Sequence, residues 1–211
     1  MITCACPAAT AITTIPAVTC TETFGQIQKI AFQRIFSSGT TKNSFTSATP
    51  IGTLASWTAL KSANDSTKIV ISPYVNAPTS EAGAARTFGG GNESLNGIEE
   101  IIGREPTTFS AMLRKMPQSV IAVLKELQCE AAAHNLGVYL FDEAGRIEAL
   151  VDPSLATTYY PIPVESFFVG DKTHGGLEAP DSNSISWSFR PDYSDQLRIV
   201  VPTDFNPLTD L

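Results

Sequence analysis

The sequence predicts an α+β fold that is mainly β. The expected architecture is an antiparallel β-sandwich or barrel with one flanking α-helix at about 117–135 and a long loop between strands. Three observations lead there. Short runs with period-two alternation, bracketed by Gly, Pro, Asn and Asp, recur along the chain. One stretch alone carries a strong helical period. No alternating strand–helix rhythm and no internal repeat is present. With 211 residues the chain is long enough for one substantial core. The expected organisation is an N-terminal arm at 1–24, a single β-rich domain at 25–201 and a C-terminal tail at 202–211.

The arm is rich in Ala, Thr, Pro and Cys and has no steady period, so it gains order only by lying on something else. The stretch "GQIQKIAFQRIFSSG" sets Gln28, Ile30, Phe32, Arg34 and Phe36 against Ile27, Lys29, Ala31, Gln33 and Ile35, between Gly25 and Gly39. It reads as a long strand. Leu54, Trp57 and Leu60 share helical spacing, which predicts a short helix over 53–62, ended by the turn at Asn64-Asp65. "KIVISPYV" is a compact strand closed at Pro73 or just after it.

From about Asn76 to Gly97 no period is visible, and a loop that long in a compact domain is usually functional or disordered. Alternation then returns in "IEEIIGREPTTFSAMLRKM", with Phe109, Ala111 and Leu113 on one face and Thr108, Ser110, Met112 and Arg114 on the other.

The helix is predicted to begin at Pro117. Val120, Leu124, Leu127 and Ala131 form its apolar face, widened by Ile121 and Val123. Asn135 or Gly137 is expected to take the left-handed stop. "VYLFDEAGRIEALV" reads as a hairpin with Gly145 in the left-handed turn position. Beyond a Pro-rich joint at 153–163, two or three more strands are expected, with Ile185, Trp187 and Phe189 facing inward and Ser184, Ser186 and Ser188 outward.

Composition narrows the function classes. Apolar residues make up 43% and charged residues 17% of the chain, and the formal net charge is -7. A surface of Ser, Thr, Asn, Gly and Ala with few charges suits a protein that works inside an assembly, and equally an ordinary extracellular β-protein. No basic run is present of the kind that grips nucleic acid through counterion release. No apolar run reaches the roughly 20 residues needed to span a bilayer. The N-terminal stretch lacks a basic segment followed by an apolar one, so folding in a reducing cytosol is expected. Of Cys4, Cys6, Cys20 and Cys129, three cluster early, but their spacing is not that of a zinc site, and they are read as reduced thiols.

The glycines of "AARTFGGGNESLNGIEEIIGREP" suggest a phosphate cradle, but no lysine follows Gly89, Gly90, Gly91 or Gly97 as a Walker loop demands. The spacing is not that of a dinucleotide fingerprint either. His134 and His174 are the chain's two histidines. His134 reads as a helix-end residue and His174 as a turn residue, with no hydrolase signature around them. Neither Glu99-Glu100 nor Asp142-Glu143 makes a glycosidase pair, since neighbours on a strand point to opposite faces. No catalytic residue, cofactor or metal site is therefore expected. What remains is interaction surface: the arm, the Gly-rich loop and the tail.

The stretches "FGQIQKIAFQRIF", "DSTKIVISPYV", "ARTFGGGNESLNGIEEIIGREPTTFSAMLRKMP" and "SWSFRPDYSDQLRIVVPTDFNPL" resemble virion structural proteins of tailed bacteriophages, most of all tail tube proteins. The resemblance covers most of the chain from Phe24 onward, in segment order rather than in a diagnostic motif. It implies a β-sandwich with a flanking helix and six subunits joining their inner sheets into a ring. The rings would stack into a tube through which DNA passes unbound, assembled in the host cytoplasm with other virion proteins. The loop at about 77–97 would sit on the adjacent ring. Arg86, Phe88 and Glu93 are then the side chains expected to touch a neighbour, with Gly89, Gly90, Gly91 and Asn92 shaping the loop. Two alternatives stay open. One is a head–tail joining, tail terminator or capsid decoration protein; the other is a monomeric binding module or an enzyme without a recognisable motif.

Overall fold

The computed structural model describes residues 14–18 and 23–211. The chain enters β1 (Ile27–Arg34) and passes through a small ribbon of β2 (Phe36–Ser38) and β3 (Thr41–Lys42) into α1 (Leu54–Ser62). There follow β4 (Ile69–Ile71), β5 (Asn76–Glu81), β6 (Ala85–Gly89), β7 (Glu99–Arg104) and β8 (Thr107–Arg114). After α2 (Gln118–Ala132) come β9 (Leu136–Asp142), β10 (Ile147–Val151), β11 (Tyr159–Tyr160), β12 (Ile162–Val169), β13 (Ser182–Phe189), β14 (Leu197–Val200) and α3 (Pro207–Asp210).

Ten of these strands form one antiparallel sheet in the order β11-β10-β9-β12-β13-β8-β5, with β1 joining β9 to β4 and β14 lying on β10. No pairing among the described residues joins the two ends, so the sheet is open, not a closed barrel. The mainly β, antiparallel α+β class is as the sequence predicts. No helix among the described residues is long and apolar enough to cross a membrane.

β9 explains the layering. It is buried along its whole length, because it pairs with β1 on one side and with β10 and β12 on the other. Leu136, Val138 and Leu140 enter one core, and Tyr139 and Phe141 enter another. The first core is closed by α2 through Ile121, Leu124 and Ala131, and by the inward faces of β8, β12 and β13. Here Phe109 stacks on Trp187 with centroids 4.1 Å apart. The second core centres on Trp57 of α1, whose ring meets Phe45, Tyr139 and Phe141 at 4.7, 5.3 and 5.4 Å. Its indole Nε1–H donates to the Ile51 carbonyl at 2.7 Å, which satisfies the polar atom that so large a buried ring carries.

Strands with one buried face follow the alternation read from the sequence. Phe109, Ala111 and Leu113 are buried and their neighbours exposed; Ile185, Trp187 and Phe189 are likewise buried. Gly145 takes the left-handed turn position, with φ at 74°.

Other expectations are corrected. The stretch at 77–97 is not a long irregular loop: it holds part of β5, all of β6 and a compact tip. Pro117 precedes the first turn of α2 instead of opening it. The left-handed stop of α2 falls on His134 (φ 55°), not on Asn135 or Gly137. Asn135 is engaged elsewhere, because its Oδ1 accepts from the Phe36 N–H at 2.8 Å, and Gly137 is already within β9. The fold also has helices on more than one face, since α1 covers the second core while α2 covers the first. The last residues do not hang free: Phe205, Leu208 and Leu211 pack on the second core. The Asn206 side chain caps α3 by accepting from the Leu208 N–H at 3.0 Å.

Candidate functional site

From Glu81 to Thr108 no residue is buried. Within that span β6 and β7 pair, among the described residues, only with each other, setting Ala85 opposite Arg104, Phe88 opposite Glu100 and Thr87 opposite Ile101. The result is a two-stranded arm projecting from the end of the main sheet. An isolated two-stranded ribbon is marginal in water, yet this one carries large apolar side chains in the open. Phe88 is 62%, Leu95 88%, Ile98 64% and Ile101 72% exposed, and Ile102 stands out beside them. Single exposed apolar residues are ordinary; a cluster of five on one projecting element is the pattern of a contact surface.

Local chemistry builds the tip. Gly89, Gly90, Gly91 and Gly97 all have positive φ, between 55° and 100°, and Asn96 joins them at 61°. L-residues with a Cβ enter that region reluctantly, so the glycines are required by the turn geometry of the arm. The Gly90 N–H donates to Ser94 Oγ at 2.9 Å, which ties the two short turns at 91–93 and 95–97 together. At the base, the Glu105 N–H donates to the Ala84 carbonyl at 2.8 Å. Arg104 reaches Asp192 at 2.6 Å, an exposed pair that orients more than it stabilises. Asp192 introduces a single turn (Tyr193–Gln196) whose Tyr193 ring stacks on Phe189 at 4.4 Å. The arm is thus tethered to the first core through one strap.

Away from the arm, Arg34, Phe36, Ser38, His134 and Arg190 line a cleft of about 590 Å³. Arg34 grips Glu130, with Nε donating to Oε2 at 2.9 Å and Nη2 to Oε1. Arg190 grips Glu165 Oε1 through Nε and Nη2, both at 2.7 Å. His134 Nδ1 meets Glu165 Oε2 at 2.5 Å. Burial pushes the Glu165 carboxyl up, but the hydrogen bonds from Arg190 and His134 outweigh it and hold it below its ordinary value. An imidazole oriented by a carboxylate is half of a general-base relay. The other half would be a nucleophile on the second ring nitrogen, and no hydroxyl among the described residues bonds there. His174 meets Asp181 at 3.2 Å on an exposed turn.

Among the described residues, one carboxyl is pushed well above the ordinary range. Glu148 of β10 lies between Leu140 and Ile199, and burial, with the charge of Asp142 added, pushes it up to about 7 from an ordinary 4.5. The folded chain therefore keeps a proton that the unfolded chain releases above pH 4.5. Stability falls as pH rises from there to about 7, by at most ~3 kcal/mol. Glu148→Gln is expected to raise the urea midpoint at pH 8, to leave it nearly unchanged at pH 5 and to flatten the slope between. Parallel pH profiles for the two chains would contradict the assignment.

The structure places Arg86, Phe88, Gly89, Gly90, Gly91, Asn92 and Glu93 together on the arm and its tip, Gly89 and Gly90 half-buried and the rest exposed. Sequence reasoning missed Leu95, Ile98, Ile101 and Ile102, which supply most of the apolar surface. For Ile98, Ile101 and Ile102 the signal is "IEEII", whose isoleucines do not keep the period of two read for the stretch that it opens; Leu95 has no such signal. Cys129 is a free, exposed thiol, whereas Cys4, Cys6 and Cys20 lie outside the described residues. No group of three or more metal-binding side chains occurs among the described residues.

No family model and no curated protein matches the chain. Among solved structures, a chain of the cryo-EM structure of the anti-feeding prophage (AFP) baseplate, 6-fold symmetrised, aligns at 9% identity with a TM-score of 0.32, covering 90% of this chain and 99% of that one. That score is below the level at which two chains share a fold, so no role is carried over from it.

Proposed function

We propose that the chain is a non-catalytic structural subunit of a tailed-phage virion that associates with copies of itself through the β6–β7 arm. The observation that carries this reading is the arm itself: a tethered ribbon with five large apolar side chains in solvent and no packing partner among the described residues. A contact made by an arm on one copy and a different patch on the next is heterologous, and such contacts generate rings or open stacks. The resemblance of the sequence segments to tail tube proteins favours rings that stack around a channel. The net charge of -7 suits a passage that DNA crosses without being held. Another virion part, such as a joining, terminator or decoration protein, would use the same arm under a different symmetry.

Negative-stain images of the purified chain over a range of concentrations test this. Rings or tubes with a central hole are expected, growing in number with concentration. A monodisperse monomer at every concentration contradicts self-association.

A further inference from the structure

We propose that the tip of the arm from one copy seats in the cleft lined by Arg34, His134 and Arg190 on a second copy. This rests on the reading of the arm as the self-association surface and names the patch that receives it.

Charge is the first argument. From Thr87 to Gly103 the arm holds Glu93, Glu99 and Glu100 and no lysine or arginine. Within a chain of net charge -7, the cleft instead presents two guanidinium groups and an imidazole. The carboxylates that pair with them, Glu130 and Glu165, are not among the residues lining it. Each arginine engages its glutamate through Nε and Nη2, so the Nη1 group has no partner among the described residues. Carboxylates that fix a guanidinium edge-on leave its other end preorganised for a second acceptor.

Backbone geometry is the second argument. His134 takes the left-handed stop of α2, which aims its ring into the cleft region beside Glu165. Ser166 is left-handed too (φ 54°), within the register shift of β12 that follows Glu165. Such bulges re-aim side chains and recur at functional edges. The cleft also offers Phe36 as apolar floor beside Ser38, which suits a tip that mixes Leu95 and Ile98 with its glutamates.

The test uses two full-length chains. One carries Glu93→Lys, Glu99→Lys and Glu100→Lys, so that a cationic tip faces the free guanidinium ends of the cleft. The other carries Arg34→Glu and Arg190→Glu, so that tip and cleft are both anionic. Each alone is expected to associate at least about tenfold more weakly than the unmodified chain, while an equimolar mixture recovers association, because each tip then meets a cleft of opposite sign. Recovery on mixing also shows that both chains are folded. If each variant associates as well as the unmodified chain, or if mixing restores nothing, the cleft is not the receiver. A second reading guards against a variant that fails to fold: association of the unmodified chain should weaken several-fold between low and high salt, and indifference to salt overturns the proposal. Failure of this pairing leaves the arm's own role intact, since excising the arm tests that separately.

Discussion

Asp142→Ala is expected to cost the fold about 3–5 kcal/mol, the largest loss from any single polar side chain here. Asp142 ends β9 fully buried. Its Oδ1 accepts from the N–H groups of Ala144 and Arg146 at 3.0 and 2.7 Å, and its Oδ2 accepts from the Gly25 N–H at 3.0 Å. Arg146 closes on Oδ2 through Nε and Nη2, both at 2.6 Å. One carboxylate therefore holds the β9–β10 turn and pins the chain where it enters β1. Alanine would leave three backbone donors and a half-buried guanidinium without the acceptor that joins them. Removing one partner of such a cluster costs more than the cluster's net worth, because the remaining groups stay desolvated. Equilibrium urea unfolding should show the midpoint falling by about 2 M, taking a slope near 2 kcal/mol per M. A loss below ~1 kcal/mol would mean that water enters the turn and serves those donors.

What could be read from the sequence follows from burial. β8 and β13 were legible because each buries one face, which writes a period of two into the residues. α2 was legible for the same reason, with Ile121, Leu124 and Ala131 inward. Of the arm, β6 was not legible as a strand, because a ribbon that buries neither face imposes no pattern, and β7 fell inside the alternation read from Ile98 onward without being set apart from β8. The arm's tip betrayed itself only through the glycines that its backbone geometry demands. β9 has the opposite condition, burial on both faces, and its hairpin was found from the turn residues instead.

The tail is expected as interaction surface, and its last seven residues show no period. Yet "NP" before "LTDL" is a capped helix start, with Asn206 as cap and Pro207 in the first turn. The cleft had no sequence signal at all. Arg34, His134, Glu165 and Arg190 come from four distant places, and only the sheet order brings them together. The apolar residues Ile98, Ile101 and Ile102 were visible, but hydrophobicity alone does not say whether a strand has anything to pack against.

Excising the arm is the second large effect. Replacing residues 86–103 by a short Gly-Ser turn removes no buried side chain, so the two cores and the melting behaviour should survive nearly unchanged. The strap at Asp192 loses Arg104's neighbours but keeps Tyr193 on Phe189, and the exposed ion pair at the base contributes little. Association should respond in the opposite way. The excision removes all five exposed apolar side chains of the arm, and interface energy concentrates in a few such anchors. Sedimentation velocity of the unmodified and the excised chain, side by side over the same concentrations, therefore tests the central claim most directly. The account predicts concentration-dependent assembly for the unmodified chain and a folded monomer throughout for the excised one. Two chains that sediment alike, whether both assembled or both monomeric, would contradict it.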